Sequence, residues 1–348
     1  MAATRNTPVY LFILPTLASS LLPSPLPSNL ILDTTITDGW QHPPVARLEQ
    51  RFKDMHRLDR EKKIHSPELY AIWNAKPWLT EEGMRKSRSG EKFEWDYVFW
   101  ADAGSFRDTW YNGGSWPLPK IRRTWEKVGE DEMDTEHKVF LPLQHATTKE
   151  LELEGGLRRS YRRGNSEASF FGGSPSTIRW FNSTFDAYRN FYMSRSFFIG
   201  KEQPLLNSLI LLLPSRFIRV HVNDPYAPAY IHPNSMLDHR WLRSIMRRYL
   251  RSFYETRALG RCRGEYMYYQ FFFADKHTRQ RLQDMWLSDL HDSWDHWFGG
   301  GENPGGSEKC RTTRAISLLE AFRKDDVLGP NWDPATYRSI VVRLGGIR

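Results

Sequence analysis

The chain has 348 residues and carries 49 Lys and Arg against 41 Asp and Glu, a formal net charge of +8. With 40% hydrophobic and 26% charged residues, its composition is that of a folded globular protein, which excludes intrinsic disorder of the whole chain. Because acidic residues are interspersed with the basic ones, no nucleic acid partner is expected. Two cysteines are too few for a disulfide scaffold or a four-cysteine zinc site.

The apolar run at Val9–Leu22 has two interpretations. It is either a first β-strand over Val9–Leu14 or a weak signal peptide with Arg5 in front of it, and Pro15 favours the strand. The run is too short and too interrupted to cross a membrane, so no transmembrane helix is predicted and the compartment stays open. The proline-rich stretch up to residue 45 predicts an irregular connection with one short strand, Leu30–Leu32.

Helices and strands alternate through the centre of the chain, which predicts an α/β layered sheet. Trp95–Ala101 is the most strand-like segment, and its apolar run is typical of a central parallel strand buried on both faces. Ser66-Pro67 begins a helix, because serine caps helices and proline suits the first helical position. The other predicted elements are a charged surface helix over Arg47–Lys63, strands over Lys138–Leu143 and Ala168–Phe171, a helix from Ser174, a buried helix over Pro204–Leu213, a strand over Phe217–Val222, a basic helix over Asp238–Thr256, an aromatic strand over Glu265–Phe273 and a helix capped by Asp275.

Composition suggests three parts: an N-terminal strand with its proline-rich connection over residues 1–45, a main domain over 46–298, and a C-terminal extension over 299–348. The extension begins with the glycine-rich stretch Gly299–Gly306. Because such a stretch separates the residues after it from those before it, the extension is expected to be dispensable for the fold.

Three places carry residues suited to chemistry, and Asp102 is the first. It follows the predicted central strand, and open α/β sheets bind ligands beyond the carboxyl ends of their strands. A carboxylate there, with Gly104 close behind, suits an oxygen ligand of Mg²⁺ or Mn²⁺. The alternative is a turn aspartate bonded to its own backbone.

The other two places precede predicted helices. Gly172 and Gly173 lie before the helix from Ser174, where free backbone N–H groups bind an anion or the hydroxyls of an acceptor, unless the pair is an ordinary strand-to-helix connection. Glu202 lies just before the helix at Pro204, where the helix dipole favours an ionised carboxylate able to take a proton from a hydroxyl. The alternative there is a solvated glutamate that only compensates the dipole.

Four segments resemble the HtrL/YibB-like family, in order within residues 64–222: Ser66–Pro77, Asp96–Gly104, Phe170–Gly173 and Glu202–Asn207. That family is related to the GT-A glycosyltransferases, which transfer sugars from nucleotide diphosphates. The resemblance implies a GT-A-like, Rossmann-like sheet, mostly parallel and flanked by helices, with 46–298 as the catalytic domain and a nucleotide-sugar donor and a glycan or other hydroxyl acceptor as partners.

The resemblance also implies roles for single residues. Glu202 and Gln203 would be catalytic, Lys76, Asp102 and Gly104 would bind the donor, Gly172, Gly173 and Asn207 would bind the acceptor, and Asp102 would ligate Mn²⁺ or Mg²⁺. Three departures from the family pattern stand out: the Asp-x-Asp metal motif is here Asp102-Ala103-Gly104, Glu202 stands where Asp is commoner, and the early nucleotide-binding strand has no recognisable base-contacting pattern.

Two other functions stay open beside a glycosyltransferase. One is a non-catalytic relative that binds carbohydrate or nucleotide, and the other is a metal-assisted hydrolase that uses Asp102. A basic stripe at helical spacing is either a contact for an anionic surface or an ordinary solvated helix face. It consists of Arg240, Arg243, Arg247 and Arg251.

Overall fold

The computed structural model describes residues 8–87, 95–103, 116–128, 137–141, 168–220, 272–291, 315–324 and 330–334. It is an α/β fold with helices and a mixed sheet of five strands, beside a separate pair of strands near the N-terminus. The chain divides into two compact units. The first comprises Met1–Asn6, Ala103–Lys127 and Val220–Ile316, and the second comprises Thr7–Asp102, Val128–Arg219 and Ser317–Arg348. The predicted division at residues 45 and 298 stays a prediction.

The described helices are α1 (Pro15–Leu21), α2 (Glu49–Met55), α3 (Pro67–Ser87), α4 (Leu118–Val128), α5 (Pro175–Ser194), α6 (Glu202–Leu212), α7 (Lys276–His291) and α8 (Leu318–Lys324). The strands are β1 (Val9–Phe12), β2 (Leu30–Asp33), β3 (Val98–Ala101), β4 (Val139–Phe140), β5 (Phe170–Gly173), β6 (Phe217–Val220) and β7 (Ala315–Ser317). Short 3-10 turns cover Gly39–Gln41, His56–Leu58 and Pro214–Arg216. Among the described helices, none is long and apolar enough to cross a membrane.

Strands β1 and β2 form a parallel pair in which Val9 lies opposite Leu30. The two strands predicted here are confirmed, whereas helix α1 was not expected inside the proline-rich stretch. Tyr10 and Lys86 both donate to the buried carboxylate of Asp33, at 2.8 and 2.7 Å. These bonds tie the strand pair to the C-terminal end of α3.

The five-stranded sheet has the order β3-β5-β4-β6-β7. β5 runs antiparallel to both β3 and β4, and β4 runs parallel to β6. Among the described strands the sheet is therefore mixed rather than mostly parallel, and β3 stands at one end of the order rather than at the centre. Its aromatic residues serve a different purpose, because Phe99 stacks on Phe170 and Trp100 on Phe171 across the antiparallel pair.

Helices α3, α5 and α6 pack on one another and supply much of the core of the second unit. The predicted cap of α5 is confirmed, since the Ser174 hydroxyl accepts from the Thr177 amide at 3.3 Å. Helix α6 is as buried as its apolar sequence indicates, with only Gln203 partly exposed. It begins at Glu202 rather than Pro204, so Glu202 is the first residue of the helix and not part of a preceding loop.

The predictions near the C-terminus have different outcomes. The aromatic strand over Glu265–Phe273 is wrong where the structure describes it, since Phe272 and Phe273 are helical. Among the described residues after the glycine-rich stretch, β7 belongs to the sheet and Leu318 of α8 is fully buried, and the expectation that the extension is dispensable stays a prediction. The cap of α7 is confirmed, since the Asp275 carboxylate accepts from the Thr278 amide at 2.7 Å.

Candidate functional site

Lys76, Asp102 and Glu202 meet at one point of the second unit, and we call them the Lys76 triad. The Lys76 ammonium donates to Asp102 Oδ2 at 2.8 Å, to Glu202 Oε1 at 2.7 Å and to the carbonyl of Ala168 at 3.3 Å. An ammonium has three protons to donate, so each has an acceptor. The three side chains come from α3, from the residue after β3 and from the start of α6.

Lys76 is a charged residue in the core, with a side chain that is 4% exposed. Burial by itself lowers the pKa of a lysine, but the charges of Glu202 and Asp102 outweigh it, and the pKa of Lys76 lies above its ordinary value. The ammonium is therefore charged across the physiological range of pH, and it orients both carboxylates.

Asp102 is the member of the triad with the most exposed side chain, at 31%. Its amide donates to the carbonyl of Ser169 at 2.8 Å, and its carboxylate accepts from Lys76 and, at Oδ1, from Trp100 Nε1 at 2.6 Å. Burial raises the pKa of Asp102, although both donors favour the charged form. The result is a carboxylate that is a stronger base than an ordinary aspartate and that solvent can reach.

Glu202 opens helix α6, where the helix dipole favours a negative charge. Its side chain is 9% exposed and its carboxylate is bonded to Lys76. The interpretation of Glu202 as a solvated residue is therefore wrong. Gln203 follows it and is partly exposed, so the two proposed catalytic residues differ in access to solvent.

Gly172 and Gly173 lie within strand β5, opposite Phe99 and Val98 of β3. They are buried, and not in a loop before the helix as expected. A Cβ atom on Gly172 would lie 2.2 Å from a ring carbon of Phe99 and 2.7 Å from the carbonyl oxygen of Val98. Packing of β3 on β5 therefore explains Gly172 without an acceptor, and acceptor binding by the two glycines stays a prediction.

The remaining sequence predictions concern Asn207, Gly104 and the basic stripe. Asn207 is fully buried in α6, and within the described structure neither polar atom of its amide has a hydrogen-bond partner. Gly104 and the basic stripe at residues 240–251 lie outside the described residues.

Trp100 was not selected from the sequence, although it binds Asp102 directly. The signal was present in the spacing, since residues two apart on an extended strand point to the same face. A tryptophan two positions before a candidate carboxylate can therefore reach that carboxylate with its indole N–H. The carbonyl of Ala168 had no such signal, because any residue can supply a carbonyl.

A second polar cluster contains Asp59, Glu61 and His65, whose potential ligand atoms lie within 4.8 Å of one another. The Asp59 carboxylate already accepts from the Tyr70 hydroxyl at 2.5 Å and from His65 Nδ1 at 2.9 Å, and Glu61 pairs with Lys201. These bonds connect the start of α3 with the residue before α6. The cluster is explained as a structural network.

The carboxylates of the Lys76 triad do not fit a shared divalent ion. Mg²⁺ binds carboxylate oxygens at about 2.0–2.1 Å and requires near-octahedral space. The position from which an ion would reach both Asp102 Oδ2 and Glu202 Oε1 is the one that the Lys76 ammonium takes. The single carboxylate of the Asp102-Ala103-Gly104 segment thus has a lysine as its partner.

No family model matches the sequence, and neither the curated proteins nor the solved structures contain a match. The chemistry of the Lys76 triad is therefore the basis for assigning a function. The triad places two carboxylates beside one buried cation, one carboxylate being open to solvent, and this arrangement can bind hydroxyl groups and accept a proton from one of them.

Proposed function

We propose that the protein is a glycosyltransferase-like enzyme, built on a GT-A-like variant of the α/β fold, that transfers a sugar from a nucleotide-diphosphate donor to a hydroxyl acceptor. One observation carries the proposal. Three of the segments that resemble the HtrL/YibB-like family contribute one ionisable residue each, and these residues form the Lys76 triad. Lys76 is 26 residues from Asp102 and 126 from Glu202 along the chain, so their meeting is a property of the fold.

In this proposal Asp102 is the residue that contacts substrate. Its partly exposed carboxylate accepts a hydrogen bond from a sugar hydroxyl, and its raised pKa favours removal of the proton as the new bond forms. Glu202 acts indirectly. By accepting a hydrogen bond from Lys76 it keeps the ammonium in position, and the ammonium in turn positions Asp102. The sequence-based assignment of Glu202 as the base itself is decided by comparing the transfer rates of Asp102→Asn and Glu202→Gln.

The second candidate is a non-catalytic protein that binds carbohydrate or nucleotide. The observation in its favour is that one ammonium holds both carboxylates of the triad, so that neither is a free base in this state. A metal-assisted hydrolase has less support, because Lys76 takes the place between the carboxylates.

The proposal is tested first by ligand binding. A panel of nucleotide sugars is added to the full chain and the thermal midpoint is measured. A ligand at about 100 times its dissociation constant stabilises the folded state by roughly 2.7 kcal/mol, which is readily detected. If no nucleotide sugar shifts the midpoint, the proposal is wrong.

Catalysis is tested next with the donors that bind. We expect Asp102→Asn to lower the rate of nucleotide release in the presence of acceptor by about 10²–10⁴, the usual contribution of a general base. Glu49→Gln is the matched control, since Glu49 forms an exposed pair with Lys53 on α2 and should leave the rate unchanged. Binding without turnover identifies the non-catalytic candidate, and turnover that needs no acceptor identifies the hydrolase.

A further inference from the structure

An ammonium group lies between the two carboxylates of the Lys76 triad, which would otherwise face one another. We infer that Lys76 is the resident cation of this site, and that Asp102 and Glu202 do not share a divalent ion while Lys76 is in place. The functional significance of this inference rests on the proposed function, whereas its test measures metal binding alone.

The first argument is geometric. A divalent ion bound by both carboxylates would have to lie closer to Asp102 Oδ2 and Glu202 Oε1 than the ammonium does, at about 2.0–2.1 Å against 2.8 and 2.7 Å. Both oxygens already face the same nitrogen. The other oxygen of Asp102 accepts from Trp100 Nε1 at 2.6 Å, so the protein supplies a donor to each oxygen of this carboxylate.

The second argument is that Lys76 cannot readily leave. Its side chain is 4% exposed and lies in the interior of helix α3, which packs against α5 and α6. A third bond, to the carbonyl of Ala168, holds the ammonium from another side. Moving it aside would bury a charge without partners, which is strongly unfavourable. A divalent ion beside the ammonium would in turn be repelled by it.

The substitution of one residue should therefore create a metal site. Lys76→Met keeps a side chain of similar length and removes the charge, leaving two carboxylates that face one another. Adjacent carboxylates are the arrangement that binds divalent cations in proteins. Lys76→Arg keeps the positive charge and should bind no metal.

The experiment measures Mn²⁺ binding to the full chain, from the electron paramagnetic resonance signal of free Mn²⁺ during titration with MnCl₂. The variants are Asp102→Asn, Lys76→Met, Lys76→Arg and the double variant Lys76→Met/Asp102→Asn. We expect wild type and Asp102→Asn to behave alike, and Lys76→Met to bind Mn²⁺ about tenfold more tightly or better, since a repelling charge has been removed. The double variant should lose that gain.

Saturable Mn²⁺ binding by the wild type that Asp102→Asn abolishes would overturn the inference, and so would a folded Lys76→Met protein with unchanged affinity. If Lys76→Met does not fold, the comparison of wild type with Asp102→Asn decides alone, because both keep Lys76. Sugar transfer is measured separately. A protein that shows the expected Mn²⁺ pattern but binds no nucleotide sugar would refute the proposed function and leave Lys76 as the resident cation.

Discussion

Lys76 shows at the scale of one residue how a charged group is kept in a protein core. Removing an ion from water costs several kcal/mol in a real protein, and the cost is offset only when the partners satisfy its hydrogen bonds. Here two carboxylates and a carbonyl accept the three protons of the ammonium. The same balance predicts that loss of one partner is destabilising, because the remaining charges stay buried.

Trp100 donates a hydrogen bond to Asp102 without belonging to the Lys76 triad, so its contribution can be measured separately. Trp100→Phe keeps an aromatic ring to stack on Phe171 but removes the donor to Asp102. Because the lost bond ends on a charged acceptor, we expect the free energy of unfolding to fall by about 1.5–3 kcal/mol in urea denaturation. The pKa of Asp102 should rise further, since the bond from Trp100 favours the ionised form, and the acidic limb of any pH–rate profile should shift upwards with it.

Trp95→Phe is the matched control, as it removes a neutral bond from the indole to the Ser87 hydroxyl at 3.0 Å. We expect it to cost about 0.5–1.5 kcal/mol and to leave the pKa of Asp102 unchanged. Equal losses of stability in the two variants, with no change in the pH profile of Trp100→Phe, would show that Trp100 acts by packing alone.

The residues of the triad could each be selected from the sequence, but their arrangement could not. The resemblance assigned Lys76 and Asp102 to the donor and Glu202 to catalysis, as separate roles. It contained no indication that Lys76 binds both carboxylates, because that contact depends on the crossing of α3 with α6. Gly172 is the opposite case. The sequence suggests that it binds a ligand, but the close approach of the Phe99 ring explains why a glycine stands there.

At the scale of elements, local signals were reliable and long-range pairing was not. The starts of α3 and α5 and the cap of α7 were predicted correctly, because a cap depends on residues within one helical turn. The place of β3 in the sheet was not, since the same apolar run suits a central parallel strand or an antiparallel strand that pairs its aromatic residues with those of β5.

Asp33 is the link between two elements that responds to pH. Burial by itself raises the pKa of its carboxyl, but hydrogen bonds from Lys86, Thr35 and Tyr10 outweigh it and hold the pKa well below its usual range. A carboxyl whose pKa is lowered on folding stabilises the protein at neutral pH, and this contribution is lost as the pH falls below the unfolded value of about 4.

We therefore expect Asp33→Asn to lower the free energy of unfolding by about 2–3 kcal/mol near pH 7 and by much less in strong acid. The measurement is urea denaturation at several values between about pH 7 and pH 2. Asp54→Asn, on the exposed side of α2, serves as control and should follow the wild type. A parallel loss of stability by Asp33→Asn at every pH would mean that its hydrogen bonds stabilise the protein without the charge.

At the scale of the whole molecule, composition and fold divide the chain differently. The second compact unit is assembled from three separated stretches, and its last stretch begins at Ser317, beyond the glycine-rich residues 299–306. A glycine-rich segment in the sequence does not show whether the chain returns to the same core afterwards. The dispensability of the extension therefore stays a prediction that only a shortened chain can test.

Helix α8 provides the test of this architecture. It packs beside the turn Pro214–Arg216 that leads into β6. Its Phe322 is 2% exposed and packs edge to face on Trp332, with 5.1 Å between the ring centroids. A buried phenylalanine replaced by alanine leaves a cavity, so we expect Phe322→Ala to lower the free energy of unfolding by about 3–5 kcal/mol.

Arg323→Gln, at the neighbouring exposed position of the same helix, should change it by less than about 0.5 kcal/mol. Both variants are compared by urea denaturation, with the fluorescence of a hydrophobic dye as a second readout. A third protein, shortened to end before residue 315, is measured in the same way. If α8 belongs to the core, that shortened chain binds the dye in the absence of urea, because the apolar surface that Leu318 and Phe322 cover is then exposed. A shortened chain with the wild-type midpoint and no dye binding would confirm the expectation of a dispensable extension, and it would limit the core to the residues before the glycine-rich stretch.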